Sequence, residues 1–148
     1  MPMEPFDELH RVIALSEMRV CEAPHLLERA LPTKYFLREW YCTEPDCDCR
    51  RVLVQFLGDA PDAGIAASIN FGWEKPSYYK TWSSFPDLWQ EMAGATLEPF
   101  AEQGPDAELF LLIFQTKIMS DPEIVAAFRR HYQLVKDNLK PPSRAEGA

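Results

Sequence analysis

The sequence contains no apolar run long enough to cross a membrane, since a transmembrane helix needs roughly 20 such residues. Its longest candidate, residues 109–114, is far too short. The first ten residues, MPMEPFDELH, are acidic and lack the apolar segment of a secretory signal. These absences predict a cytoplasmic protein without membrane contact. In that reducing compartment the four cysteines are not expected to form structural disulfides.

Positive charge is also scarce. The chain has 15 lysine and arginine residues against 23 aspartate and glutamate residues, which gives a net charge of −8. A general nucleic-acid binder needs positive charge to displace condensed counterions, and docking on anionic lipid needs a basic patch. Arg50 and Arg51 form the only adjacent basic pair near the cysteines. We therefore predict neither nucleic acid nor membrane as a partner.

Familiar catalytic motifs are absent as well. The sequence has no H-E-x-x-H, G-x-S-x-G, Walker or G-x-G-x-x-G pattern. Zinc deaminases need an H-x-E pair together with P-C-x-x-C, and neither occurs here. The sequence thus leaves an enzymatic activity undecided and favours a non-enzymatic domain.

What the sequence does contain is enough apolar material for one folded unit. Its 148 residues fit a single domain, and 47% of them are hydrophobic. A chain of this length buries roughly 68–70% of the surface that its unfolded form exposes, so its core does not require a metal merely to exist. We predict one domain over residues 1–148, with residues 6–140 ordered and residues 141–148 forming a flexible tail.

Alternating apolar residues predict three strands, at residues 34–42, 51–57 and 65–71. The first is rich in aromatic residues, which suit a half-buried pleated surface. Short turns join the three strands, so we expect an antiparallel meander of three or four strands. The predicted fold class is therefore α+β, with helices packed against one side of the sheet.

Helical periodicity predicts helices both before and after this meander along the sequence. The last helix gives the clearest signal, because Ser120-Asp121-Pro122-Glu123 combines a capping box with an early proline. Its apolar face continues to Leu139. The other predicted helical segments are 6–18, a short piece after Pro24, two pieces within 72–92, and 106–118. Residues 1–5 and 94–105 are predicted to be loops.

Three of the four cysteines lie within eight residues, in the segment YCTEPDCDCR. Cys42 ends the first strand and Cys47 and Cys49 precede the second, so the turn between the strands folds them together. Side chains two residues apart leave an extended backbone on the same side. The three sulfurs can therefore converge at the hairpin tip, about 2.3 Å from a zinc ion.

Clustered thiols in a reducing compartment suit zinc, which favours thiolates and has no redox chemistry of its own. We therefore predict a structural zinc site at Cys42, Cys47 and Cys49. The spacing differs from the common pair of C-x-x-C knuckles, so two other interpretations stay open. The cysteines could merely fill a packed turn, or Cys47 and Cys49 could form a redox-active pair beside basic residues.

A zinc site usually has a fourth ligand. The candidates are His131, Cys21, His10, His25 and a water molecule. His131 lies on the apolar face of the last predicted helix, which would present it inward. We predict His131 as the fourth ligand and Cys21 as the next candidate. A metal bound by His131 would tie the C-terminal helix to the hairpin tip.

Three segments carry a distinctive combination of motifs: YCTEPDCDCRRVLVQF, then INFGW with YYKTW, and finally DPEIVAAFRRHYQLVK. The combination resembles a family of small bacterial proteins of unknown function. That family has a Tyr-Cys…Cys-Asp-Cys-Arg-Arg-Val hairpin, a Gly-Trp pair, and a late His-Tyr followed by lysine. The matching positions here are Tyr41–Val52, Gly72-Trp73, and His131-Tyr132 with Lys136. The resemblance covers roughly residues 34–136, implies no activity, and favours His131 over Cys21.

Residues 73–89 are dense in aromatic side chains, and Tyr78 and Tyr79 are adjacent within this segment. Such a segment either anchors a protein interface or forms a lid over the sheet, and the lid is the favoured interpretation. Two adjacent tyrosines cannot both point inward from a regular element, so at least one is expected to reach solvent. If the chain binds another protein, we predict that it does so through this segment.

These patterns favour a zinc-stabilised protein-binding or adaptor domain. The alternatives are a zinc-dependent hydrolase with water in the fourth metal position, or a thiol redox sensor. Glu39 and Glu74 are candidate carboxylates near the sheet. Glu39 either acts as an acid or supports a metal ligand from outside the coordination shell. The favoured interpretation is that it pairs with a charge on the neighbouring strand.

Overall fold

The computed structural model describes residues 2–22, 34–60, 62–82 and 85–139. The predicted helical piece after Pro24 and the predicted flexible tail lie outside these residues. Within the described helices, none is both long enough and apolar enough to pass through a lipid bilayer.

Antiparallel strands form one six-stranded sheet in the described part of the chain. The strands are β1 (Met3–Pro5), β2 (Val20–Glu22), β3 (Lys34–Cys42), β4 (Arg51–Gly58), β5 (Ile65–Gly72) and β6 (Gly94–Leu97). Their order is β1-β3-β4-β5-β6, and β2 pairs with the start of β3. The predicted α+β fold class and the central meander are confirmed. β1 and β6 lie in predicted loops, because three or four residues are too few to show a period-two pattern.

Helices of three kinds accompany the sheet. They are α1 (Phe6–Leu9), α2 (Arg11–Glu17), a 3-10 helix (Pro76–Trp82), α3 (Pro86–Met92), α4 (Ala107–Ile113), a π-helical segment (Phe114–Ile118) and α5 (Pro122–Leu139). The predicted first helix is interrupted at His10, whose φ of −139° and ψ of 68° are not helical. The predicted helix over 106–118 changes from α to π at Phe114.

The core lies between one face of the sheet and helices α4 and α5. Val52, Val54 and Phe56 alternate along β4 and are fully buried on that face. On β5, Phe71 packs against Phe128 of α5, with ring centroids 6.1 Å apart. Burying one such side chain contributes roughly 1.5–3 kcal/mol. These contacts fix α5 on the sheet, so its second half can reach the loop between β3 and β4.

The opposite face of the sheet carries a chain of polar contacts. The Trp40 indole N–H donates to Gln55 Oε1 at 2.8 Å, and Gln55 Nε2 donates to Ser68 Oγ at 3.2 Å. The Ser68 hydroxyl in turn donates to the Glu102 carbonyl at 2.7 Å. Hydrogen bonds therefore connect β3, β4 and β5 across this face and continue into the loop before α4.

Candidate metal centre

The three clustered cysteines meet at the tip of the β3–β4 hairpin. Their sulfur atoms, called the sulfur group below, all lie within 4.8 Å of one another. Cys42 and Cys49 are buried, whereas Cys47 is half-buried. In the part of the chain that the structure describes, no other cysteine, histidine or carboxylate joins this group. The hairpin thus supplies three convergent sulfur ligands, and their partly open side is the side of Cys47.

The backbone of residues 43–50, called the thiol loop below, is folded tightly around these sulfurs. The Cys47 N–H donates to the Glu44 carbonyl at 3.1 Å, and the Glu44 N–H donates to Cys42 Sγ at 3.4 Å. Arg50 has a φ of +50°, in the left-handed region that residues other than glycine seldom adopt. This turn separates Cys49 in the sulfur group from Arg51 at the start of β4.

Helix α5 holds the thiol loop from one side. Lys136 Nζ donates to the Glu44 carbonyl at 2.9 Å, and the Tyr132 hydroxyl donates to Asp48 Oδ1 at 2.7 Å. Lys136 is only 8% exposed. Burying an ammonium group is costly unless negative charge lies nearby. Thiolates in the sulfur group would supply that charge.

The 3-10 helix holds the thiol loop from another side through its two adjacent tyrosines. The Tyr78 hydroxyl donates to the Asp48 carbonyl at 2.6 Å, and the Tyr79 hydroxyl donates to the Arg50 carbonyl at 3.0 Å. Tyr78 is half-buried and Tyr79 is fully buried, so one of the pair reaches solvent as predicted. A side chain at Gly72 would place its Cβ 2.6 Å from the Tyr79 hydroxyl, so glycine there permits this close approach.

The electrostatics of the sulfur group keep its thiols protonated when no cation is bound. Burial, together with neighbouring Cys47 and Cys42, raises the pKa of the Cys49 thiol to about 12. Burial and Cys42 also raise the pKa of Cys47, while Lys136 partly opposes both shifts. Ionising several thiols here brings like charges together, and a metal ion would offset that repulsion. The donor set therefore fits a thiophilic metal ion.

The metal-free protein is expected to lose stability as the pH rises from 9 toward 12. The ordinary pKa of a cysteine thiol is 9.0, and that of Cys49 in the folded protein is about 12. The folded state therefore holds the Cys49 proton more tightly than the unfolded state does. The resulting stabilisation is complete below pH 9, and it is lost as the pH rises through the pKa of Cys49 in the folded protein. Thermal unfolding of reduced, chelator-treated protein across this range measures the effect. In Cys49→Ser, which lacks the ionising thiol, the decline should be smaller; an equal decline would contradict this prediction.

His131, the predicted fourth ligand, does not belong to the sulfur group, and both its ring nitrogens contact carboxylates. Nδ1 lies 2.7 Å from Glu39 Oε1, and Nε2 lies 3.3 Å from Glu17 Oε1. The ring is 1% exposed and stacks on Phe6, with centroids 4.2 Å apart. These contacts give His131 a hydrogen-bonded place in the core. Its role as a ligand stays a prediction that this arrangement does not favour.

Glu39 is the central acceptor of this buried group. The Tyr41 hydroxyl donates to Glu39 Oε1 at 2.5 Å, and the same oxygen contacts His131. The neighbour of Glu39 on β4 is Val54, so the expected cross-strand charge pair is wrong. The alternation of β3 places Glu39 on the core face with Tyr41, where it supports His131 instead.

The other candidate ligands lie elsewhere. Cys21 pairs with Tyr35 in the sheet, seven residues along β3 from Cys42, which corresponds to about 23 Å of strand. The His10 ring packs near Phe6, with centroids 5.4 Å apart. His25 lies outside the described residues. Cys21 is therefore too distant to share a metal ion with the thiol loop.

Comparison of the chain with protein-family models, with curated proteins and with solved structures finds no match in any of the three. The resemblance to a bacterial family stays a prediction from its motifs. The structure nevertheless brings those motifs together. Tyr78 and Tyr79 of the middle motif, and Tyr132 and Lys136 of the last, all contact the thiol loop.

Some residues of the site were not recognised from the sequence. Asp48, whose carboxylate receives the Tyr132 hydroxyl, and Glu17, which contacts His131, are examples. For Tyr132 and Lys136 a signal did exist, because residues four apart share one face of a helix. That spacing could have indicated that both side chains reach the same partner.

Proposed function

We propose that this chain is a zinc-stabilised binding domain, in which a metal ion at Cys42, Cys47 and Cys49 maintains the shape of the thiol loop. The observation that carries the proposal is the convergence of three sulfur atoms within 4.8 Å. The contacts from α5 and the 3-10 helix support it, because residues around a metal site commonly hold its ligands in position.

A structural metal is favoured over a hydrolytic one. Three thiolates transfer more negative charge to zinc than the histidine-rich ligand sets of zinc hydrolases, which weakens the polarisation of a bound water. Asp48, the carboxylate between Cys47 and Cys49, already accepts hydrogen bonds from Tyr132 and Arg50. Although burial opposes the shift, the hydrogen bonds from Arg50 and Tyr132 lower the pKa of Asp48, which makes it a weak general base toward a metal-bound water.

Metal analysis of protein purified without added metal tests the proposal. We expect one equivalent of zinc, and X-ray absorption should show three sulfur neighbours at about 2.3 Å and one oxygen or nitrogen neighbour. Protein that is folded yet free of zinc, and does not take it up, would contradict the proposal. An imidazole signal that disappears in His131→Ala would establish His131 as the fourth ligand.

We further propose that a protein partner contacts the end of the aromatic segment. Tyr79 is fully buried, whereas Phe85 and Leu88 are 66% and 53% exposed. Exposed apolar side chains that lie close together commonly mark interaction surfaces. The outer positions of this segment, rather than its buried tyrosine, are therefore the suitable places to test for binding.

A variant with Phe85→Ser and Leu88→Ser is expected to retain zinc and to lose at least tenfold in affinity for a partner captured by the wild-type chain. The measurement is affinity capture followed by quantitative binding of the captured protein. Val12→Ser with Leu15→Ser is a matched control, because these side chains are also exposed but lie on α2. Equal partner affinity in the two double variants would argue against the proposed surface.

A further inference from the structure

A cavity of about 510 Å³ lies beside the sheet, away from the sulfur group. Its polar wall contains Arg51, Asn70 and Thr96. Asn70 and Thr96 are neighbours across β5 and β6, and the alternation of β4 places Arg51 on the face opposite to Val52. The other walls are mainly apolar and are formed by Trp82, Leu88, Met92, Leu97 and Pro99.

Arg51 is the notable group in this cavity. Its Nε donates to the Met92 carbonyl at 3.3 Å. Among the described residues, no carboxylate forms an ion pair with its guanidinium, although the Glu98 carboxylate attracts it at longer range. A guanidinium has five N–H donors in a rigid planar fork. Donors therefore remain for a group that enters the cavity, and a planar carboxylate matches their geometry.

Two carboxylates restrict the charge of that group. Glu98 accepts hydrogen bonds from the Asn70 amide and, at 3.1 Å, from the Phe100 N–H, which hold it at one side of the cavity. Glu91 is exposed and also lines the cavity. Both repel a ligand with several negative charges. A single negative charge placed against Arg51 avoids most of this repulsion.

We propose that this cavity binds a small organic acid with one carboxylate and an apolar body. The carboxylate pairs with the guanidinium of Arg51, and the apolar body packs against Trp82 and Leu88. The volume lies within the range of about 300–1,000 Å³ that is usual for small-molecule sites, which are mostly apolar with a few polar groups. The site is distinct from the metal centre, although Arg51 follows Cys49 by two residues.

Octanoate is a suitable probe, and NMR titration of the zinc-loaded protein measures its binding. We expect saturable shifts of the Trp82 indole and of the Leu88 and Leu97 methyl groups. Octanol and octylamine should bind at least tenfold more weakly, because the first lacks the charge and the second reverses it. Octyl phosphate should also bind more weakly than octanoate, because its second negative charge faces Glu91 and Glu98.

Two variants test the charged and the apolar part of the site separately. Arg51→Leu should weaken octanoate binding at least tenfold while zinc is retained. Leu88→Glu, at an exposed position that tolerates substitution, should weaken it severalfold. Arg129→Leu removes an exposed arginine that does not line this cavity, so the affinity of this variant for octanoate should equal that of the wild type.

The proposal is overturned if octanoate causes no saturable shift at Trp82, or if octyl phosphate binds more tightly than octanoate. It is also overturned if folded Arg51→Leu and Leu88→Glu both keep the wild-type affinity. Zinc content is measured on the same samples. Octanoate binding by a protein that lacks zinc would contradict the metal proposal alone, and the absence of octanoate binding by a zinc-loaded protein would contradict the cavity proposal alone.

Discussion

Cys49→Ser is expected to lose its bound zinc and to be less stable by roughly 4 kcal/mol when free zinc is about a thousand times the wild-type dissociation constant. Cys49 is 4% exposed, and its sulfur is one of the three that converge at the hairpin tip. A ligand that binds only the folded state stabilises it by mass action, so removal of one thiolate removes that stabilisation. Zinc content and thermal unfolding in one zinc-buffered solution measure both effects.

The matched control for this prediction is Cys21→Ser. Cys21 is half-buried in β2, at the far end of β3 from the sulfur group. Cys21→Ser should keep one equivalent of zinc and nearly the wild-type melting temperature. An unchanged melting temperature in Cys49→Ser would show that the three sulfurs do not hold a stabilising metal ion. The core does not depend on zinc, so we expect Cys49→Ser to keep its sheet and to lose order mainly in the thiol loop.

Glu39→Leu is expected to lower the free energy of unfolding by about 1–3 kcal/mol, the usual cost of leaving a buried polar group without its hydrogen-bond partner. Glu39 Oε1 accepts the Tyr41 hydroxyl at 2.5 Å and lies 2.7 Å from His131 Nδ1. Leucine offers no acceptor, so His131 Nδ1 loses its partner, while the Tyr41 hydroxyl keeps only the Phe128 carbonyl at 3.2 Å. Urea unfolding of the zinc-loaded protein measures the change.

Glu39→Gln separates hydrogen bonding from charge in this group. The amide oxygen of glutamine can still accept from Tyr41 and His131, so this variant should lose much less stability than Glu39→Leu. Both variants should retain zinc, because Glu39 contacts His131 rather than the sulfur group. Similar stability in Glu39→Leu and the wild type would contradict the energetic importance of this contact. Zinc loss from a folded Glu39→Leu protein would indicate that His131 does serve the metal.

Local patterns in the sequence predicted the features that depend on near neighbours. The alternation of Val52, Val54 and Phe56 predicted β4, which runs from Arg51 to Gly58. The sulfur group was also predictable, because a turn between two paired strands must bring Cys42 close to Cys47 and Cys49. Both inferences need only the geometry of strands and of one short loop.

Contacts between distant parts of the chain were not predictable in the same way. His131 is 92 residues from Glu39 and 114 residues from Glu17. Its place on the apolar face of α5 correctly indicated burial, yet burial alone does not identify the partner of a histidine. A three-thiol group without a fourth ligand favoured assigning His131 to the metal. The two carboxylates that occupy its nitrogens gave no comparable local signal.

The attachment of the thiol loop to α5 has a consequence for the order in which the protein is assembled during synthesis. Lys136 and Tyr132 follow Glu44 and Asp48, the loop residues that they contact, by 92 and 84 residues, so they leave the ribosome much later. A nascent chain that ends before α5 therefore presents three thiols without the lysine that offsets their charge and without the tyrosine that steadies their backbone. Mature metal loading is accordingly expected to follow synthesis of α5.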